Sequence, residues 1–409
     1  MQNPINHFQK SQLTHIPTKK FKDITVVLRF LIPLTKENAT QSALLLYMME
    51  DRNHDFPTKK AMLTQKDELY GTTFSTNVVG YGRAMALQIS SKVMDPDYGD
   101  DDRLLLKHAR WFNAMIEKPV IDDETLKEAK NQIRSALLRD LDNPQKYAQI
   151  KAFEALGPDH VISINIDGDI TMLSSITVDD MKEFHSRLLT EAQRHLYVIG
   201  DIKQDMLAIY QQDSTYQQLH RRIESAYPID LEDHHQLLEN KKGTQTNFLK
   251  LYKTNVSIDH PLYLANRLAS IALGQLPTSY LFMEIRERRS LCYFIHSQYI
   301  AFDGICLIST GIDRDNIDEV KKLIHKQVLA VQNIDSGLLK QAKTMIINAI
   351  RNSEDDILGY INLHYAHQLI DQHFDKDTLI QQIEAVTPMQ IYQAVSLWEP
   401  LLEYVVQGG

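Results

Sequence analysis

The side chains best suited to chemistry are scattered along this sequence, and few keep a spacing that chemistry demands. Of the sixteen histidines, His364 and His367 stand three apart on a helical pattern. Such a pair can face one metal ion. No third ligand or general base accompanies it, so the two read as polar positions packing beside Tyr360 and Tyr365. No histidine begins H-x-x-E-H or H-E-x-x-H, the spacings that set two imidazoles on one helical face with a glutamate as base. His234-His235 reads as solvated loop. Gly80-Tyr81-Gly82 lacks the third glycine and following helix of a nucleotide loop, and reads as a strand bend. The acidic run from Asp95 to Asp102, closed by Arg103, lacks the bidentate glutamate of a calcium loop. Cys292 and Cys306 read as buried thiols, because two cysteines make neither a disulfide framework nor a four-cysteine zinc site. Trp111 and Trp398 read as core or interface aromatics. One further combination is Arg286 with Tyr293. Arginine offers fixed N–H donors and is always charged, and tyrosine offers one O–H from a rigid ring. Taken alone, they read rather as one charge of a solvated Arg-Glu-Arg-Arg face and a core aromatic.

The elements that must position these residues come in two sets. Residues 126–134 read LKEAKNQIR and residues 339–347 read LKQAKTMII. Each opens a long helical pattern behind an acidic or small cap: Asp122, Asp123 and Glu124 in one, Asp335 and Ser336 in the other. Residues 176–181 (ITVDDM) and 386–391 (VTPMQI) then each place a threonine cap before an amphipathic helix. Extended apolar strands follow at Leu196–Gly200 and Tyr404–Val406. The separations are 213, 210 and about 207 residues, far too long for a solenoid repeat. They describe a duplication. Each half opens on a β-branched or alternating segment, Ile24–Phe30 and Thr246–Tyr252. Further strands are expected within Thr73–Val93 and Cys292–Gly311. Strands followed by long helices within each half imply an α+β fold of two duplicated domains, each a mostly antiparallel sheet with helices packed on one face. The expected division is a first domain over 1–226, a polar linker over 227–243 and a second domain over 244–409.

The 409 residues are 43% hydrophobic and 24% charged, ordinary for a globular chain. The net charge of −9 argues against a general nucleic-acid or anionic-membrane binder. No run of ~18 apolar residues predicts a membrane span, and the N-terminal stretch lacks the apolar core of a signal peptide. A reducing cytoplasm is the expected compartment.

The run Leu281-Phe282-Met283-Glu284-Ile285-Arg286-Glu287-Arg288-Arg289-Ser290-Leu291-Cys292-Tyr293 resembles a stretch, LFxELREKRGLxY, in the second domain of the insulinase/pitrilysin family of zinc metallopeptidases, which includes mitochondrial processing peptidase. Gly168-Asp169 through Thr177 and Phe184 to Val198-Ile199-Gly200-Asp201, and Val386-Thr387-Pro388, are similar too. Active members carry H-x-x-E-H in the first domain. Here the helix expected to hold it, Ala39 to Met49, has no histidine. The downstream helix, which supplies a carboxylate ligand in the family, reads Ser135-Ala136-Leu137-Leu138, with no glutamate between Glu128 and Glu154. The chain thus resembles the non-zinc subunit of bacterial two-chain peptidases, as Lys20-Phe21-Lys22 and Glu68-Leu69-Tyr70-Gly71 also suggest. That resemblance implies no metal in this chain and a homologous zinc-bearing subunit as partner in a heterodimer. It implies that Arg286 holds the backbone of a peptide substrate and Tyr293 hydrogen-bonds the oxyanion, both in trans to the partner's zinc. It further implies peptide processing, of the kind that matures bacteriocin-like peptides. The competing readings are a catalytically inert structural homologue and a peptide-binding subunit.

Overall fold

The computed structural model describes residues 6–8, 13–212, 235–241, 245–353 and 356–408. The chain forms two compact units, each built on one sheet.

The first unit carries strands β1 (Asn6–Phe8), β2 (Leu13–Ile16), β3 (Asp23–Pro33), β4 (Thr73–Tyr81), β5 (Ala84–Met94) and β6 (Gln193–Ile199), in the order β1-β2-β6-β3-β5-β4. Strand β3 is buried along nearly its whole length, as expected of a central strand that reads as a continuous run of Ile, Val, Leu and Phe. Gly80 and Tyr81 end β4, and Gly82 turns the chain into β5 at a φ of 60°. The Gly-Tyr-Gly step is thus a hairpin turn rather than a bend within one strand. Helices α1 (Lys36–Asp51), α2 (Lys59–Glu68), α3 (Leu104–Glu117), α6 (Val178–Glu191) and α7 (Gln204–Gln212) belong to this unit, as does most of α4 (Asp123–Asp142).

The second unit carries β7 (His235–Lys241), β8 (Thr246–Lys253), β9 (Cys292–Ile300), β10 (Ile305–Ile312) and β11 (Glu399–Gly408), in the order β7-β11-β8-β10-β9. Its helices are α5 (Pro144–Glu154), α8 (Tyr263–Gly274), α9 (Ile317–Val331), α10 (Ser336–Asn352), α11 (Ile357–Leu369), α12 (Lys376–Ala385) and α13 (Pro388–Ser396). The two sheet orders match strand for strand from β2 and β7 onward. In each, the opening strand runs parallel to the closing one, β2 beside β6 and β7 beside β11. The closing strand then pairs antiparallel with the central one, β6 with β3 and β11 with β8, and the central strand pairs antiparallel with the next, β5 or β10. Strand β7 lies inside the stretch 227–243, which the sequence suggests as a polar linker. The rest of that stretch, 227–234 and 242–243, lies outside the described residues, so of the two adjacent histidines only His235 is placed, at the start of β7. Sequence does not reveal β7 because it is a polar outermost strand whose two leucines, Leu237 and Leu238, are adjacent rather than alternating.

Most helices of the second unit pack on one face of its sheet, as expected, and α5 covers the other. Alternate residues of β8 serve two cores. Phe248 and Tyr252 join α8, α9, α10, α12 and α13 on one face. Leu249 and Leu251 meet Ala148, Ala152 and Leu156, from α5 and its end, on the other. Residues 139–164 therefore belong with the second sheet, although they precede the first unit's last strand. The small side chains of Ala148 and Ala152, both fully buried, let α5 lie close against the strands.

The repeated motif has a physical reason. In each half, the lysine of the A-K step reaches across to the chain just ahead of the next helix. Lys130 Nζ donates to the Ile176 carbonyl (2.5 Å), and Lys343 Nζ donates to those of Glu384 (2.8 Å) and Val386 (2.6 Å). The next helix starts in each case with a capping box, Thr177 with Asp180 and Thr387 with Gln390. Among the described residues, no helix is long and apolar enough to cross a membrane.

Candidate functional site

The segment that carries Arg286 and Tyr293 departs twice from regular geometry. Residues Phe282–Glu287 form a π-helical turn, with the Arg288 N–H reaching back to the Met283 carbonyl at 3.0 Å. Ile285, fully buried, roots the turn in the core. Ser290 then takes a left-handed conformation (φ 53°), which lets its N–H bond the Arg286 carbonyl and that of Leu291 bond the Ile285 carbonyl, each at 3.0 Å. Such π-turns insert one residue into a helix and redirect the chain beyond it.

The second departure lies in β9. Ile312 of β10 faces Cys292, but its neighbour Gly311 faces Phe294. Tyr293 is the extra residue of a β-bulge. Without the bulge it would point to the core face, with Ile295 and Ser297. With it, Cys292 takes the core position and Tyr293 turns outward, 67% exposed. Gly311 permits this close passage: a Cβ there would stand 2.6 Å from the Phe294 ring.

Arg286 is exposed, with its guanidinium carbon 4.7 Å from the centre of the Phe282 ring. Its charge is felt at the thiol of Cys292, the residue before Tyr293. Burial pushes that thiol up, against a hydrogen bond from Thr310 and the Arg286 charge, and Cys292 remains an unreactive core residue. The other two arginines of the run are tied down. Glu284 accepts from Arg288 (3.0 Å) and Arg289 (3.1 Å), and Arg289 also donates to Glu319 of α9 (2.7 Å). Among the described residues, Arg286 has no carboxylate partner and the Tyr293 hydroxyl has no hydrogen bond. Arg286 is thus a solvated charge, as the alternative has it, whereas Tyr293 is exposed rather than a core aromatic.

Helix α1, to which the family resemblance assigns the zinc motif, carries other residues. Leu44, Leu45, Leu46, Met48 and Met49 of α1 are buried. Asp51, at the end of α1, and Glu128 of α4 are brought together, but cations bridge them. Arg52 donates to Asp51 and to Glu128 (2.6 Å), and Lys59 Nζ lies 3.1 Å from Asp51 and 3.4 Å from Glu128. Among the described residues, no group of three or more His, Cys, Asp or Glu is placed to hold a metal. The residues here do not fit a zinc ion. Sequence alone does not announce this four-residue network, because Arg52 and Glu128 stand 76 positions apart.

The remaining candidates are structural. His364 and His367 are buried beside Phe374, with ring centres 6.0 and 5.2 Å away, and His367 Nδ1 bonds the Leu363 carbonyl of its own helix. Burial lowers the His367 pKa. Trp111 is core, and Trp398 donates its indole N–H to Asn266 (2.6 Å). In the acidic run, Asp95 caps a short 3-10 turn and Asp101 pairs with Lys107.

Comparison with known proteins agrees with this geometry. Residues 175–346 match the family described as the peptidase M16 inactive domain. The chain is 22% identical over 389 residues to the probable inactive metalloprotease YmfF of Bacillus subtilis (strain 168), covering 93% of this chain and 91% of that one. It shares its fold with a conserved protein from Enterococcus faecalis V583 (TM-score 0.92, 23% identity, 99% of each chain covered). It also matches a peptidase M16 inactive domain from Pseudomonas fluorescens (TM-score 0.80, 17% identity, 99% and 98% covered). The chain is thus similar to the M16, insulinase-like family, and to members of it described as inactive.

Proposed function

We propose that this chain is the zinc-lacking subunit of a two-chain peptidase and donates Arg286 and Tyr293 to the metal site of a homologous, zinc-bearing partner. One observation carries the reading: two one-residue irregularities, the π-turn and the bulge, expose an unpaired guanidinium ahead of β9 and an unpaired phenol at its start. Each irregularity sacrifices regular hydrogen bonding, and bulges of this kind re-aim side chains beside active sites. A zinc ion in the partner would polarise the scissile carbonyl of a bound peptide. This chain's part is to hold and neutralise. Arg286 offers fixed N–H donors to a substrate carbonyl, and Tyr293 offers its O–H to the oxygen on which negative charge develops. The work is peptide processing in the cytoplasm, and maturation of ribosomally made, bacteriocin-like peptides fits a chamber that admits short or unfolded chains.

The test is reconstitution. A pull-down from native extract should recover a relative of similar size carrying H-x-x-E-H. In the reconstituted pair, Arg286→Ala and Tyr293→Phe should each lower peptidase activity at least ~10-fold, the scale of one lost oxyanion donor. Full activity in both variants would leave the second reading, an inert structural or peptide-binding homologue, which the match to an inactive domain favours.

A further inference from the structure

The π-turn that presents Arg286 is closed by backbone bonds from Arg288, Ser290 and Leu291. It sits between the last turn of regular helix and a left-handed Ser290, and solvent reaches most of its outer side chains. Its support lies to one side. We propose that Arg289 is a positioning residue: its guanidinium ties Glu284 of the turn to Glu319 of α9, and so fixes the backbone on which Arg286 is presented. This inference rests on the reading of Arg286 given above and adds to it how that residue is held.

Three observations support it. First, Arg289 uses two different N–H groups on two different elements, Nε on Glu284 (3.1 Å) and Nη1 on Glu319 (2.7 Å). A planar guanidinium that spans two carboxylates fixes direction as well as distance, which a lone exposed ion pair does not. Second, Glu284 is a half-way station inside the turn. Its side chain is only 15% exposed, and its other oxygen accepts from Arg288 at 3.0 Å. Desolvation pushes its carboxyl up, yet the hydrogen bonds from Arg289 and Arg288 hold it below its ordinary value. Third, the far end of the tie is firm. Two residues after Glu319, Lys321 pairs with Glu403 of β11 (3.1 Å), and Glu403 pairs with Lys250 of β8 (2.6 Å). Helix α9 is therefore pinned to the sheet by ions, and Glu319 offers Arg289 a fixed anchor. Phe282, under the Arg286 guanidinium, completes the support from within the turn.

Two measurements test this. In the full chain alone, Arg289→Gln should speed hydrogen exchange at the Arg288, Ser290 and Leu291 amides at least about fivefold, with β10 unchanged. Glu319→Gln, which removes the far anchor, should raise exchange at the same amides. Unaltered protection in Arg289→Gln overturns the proposal. In the reconstituted pair, with a fluorogenic peptide that the wild-type pair cleaves, Arg289→Gln should lower kcat about fivefold and should lower it no further when added to Arg286→Ala. Losses that simply add overturn the proposal, because they mark a role independent of Arg286. A wild-type pair that cleaves nothing sinks the two-chain reading instead, and the exchange result alone then decides whether Arg289 holds the turn.

Discussion

Ser290 is the residue at which backbone and chemistry meet most closely. Similar segments of the family have a glycine there, and the reason is visible in its φ of 53°. A left-handed conformation costs an L-residue with a Cβ about 1–2 kcal/mol. Glycine would avoid that cost but lose about 0.5–1 kcal/mol through the freedom it gives the unfolded chain. Ser290→Gly should therefore stabilise the chain by about 0.5–1 kcal/mol in urea unfolding, with the turn unchanged. A destabilised variant would mean that the serine side chain does something its geometry does not reveal. At this scale, the sequence displayed the identities of Arg286 and Tyr293 and their seven-residue step. It did not display their orientation, because a strand pattern assigns Tyr293 to a face by parity. The bulge that reverses the parity depends on Gly311 of the neighbouring strand, eighteen positions further along the chain.

Among the elements, the caps and the bridging lysines were legible, and they hold the duplication together. Each threonine accepts from the N–H three residues on, and the residue at that third position returns the bond. Such a box reads from four consecutive residues because all its contacts are local. Thr387→Ala should cost about 1 kcal/mol of stability by denaturant titration, without altering the slope of the transition. No loss at all would mean that Lys343, not the cap, fixes the start of α13. Strand β7 is the counter-example. Its pairing with β11 joins Leu237 to Tyr404, residues far apart in the chain. Its own seven residues carry too little alternation to announce a strand. Glu239 confirms its place: the Tyr147 and Tyr404 hydroxyls both donate to it, the latter at 2.8 Å, and desolvation of its carboxyl is outweighed by those bonds, so it stays ionised below its ordinary value.

At the scale of the whole molecule, the two sheets share an order but not a chemistry. Where β3 pairs Leu28 with Leu196, β8 pairs Lys250 with Glu403, and Lys321 joins them from α9. Desolvation pushes the Glu403 carboxyl up, but the two lysines hold it below its ordinary value on balance. A carboxylate depressed in the folded state stabilises above its unfolded pKa of about 4.3, and that contribution is lost as pH falls through the folded value. Glu403→Gln leaves two lysines facing no anion and should cost about 3 kcal/mol near neutral pH. The difference from wild type should shrink below about pH 4. Equal melting temperatures at pH 7 would show that the triad is solvated rather than structural. By itself the sequence determined everything written in local pattern: the α+β class, the doubled order of elements, the caps, and the lack of an H-x-x-E-H motif. Hydrophobic period and capping chemistry act over a few residues, so a single chain reveals them. Only the tertiary structure decided that α5 covers the second sheet, that Arg52 and Lys59 bridge the carboxylates of α1 and α4, and that Tyr293 faces outward. Each of those outcomes depends on which distant segment arrives beside which, and no window of neighbouring residues contains that choice.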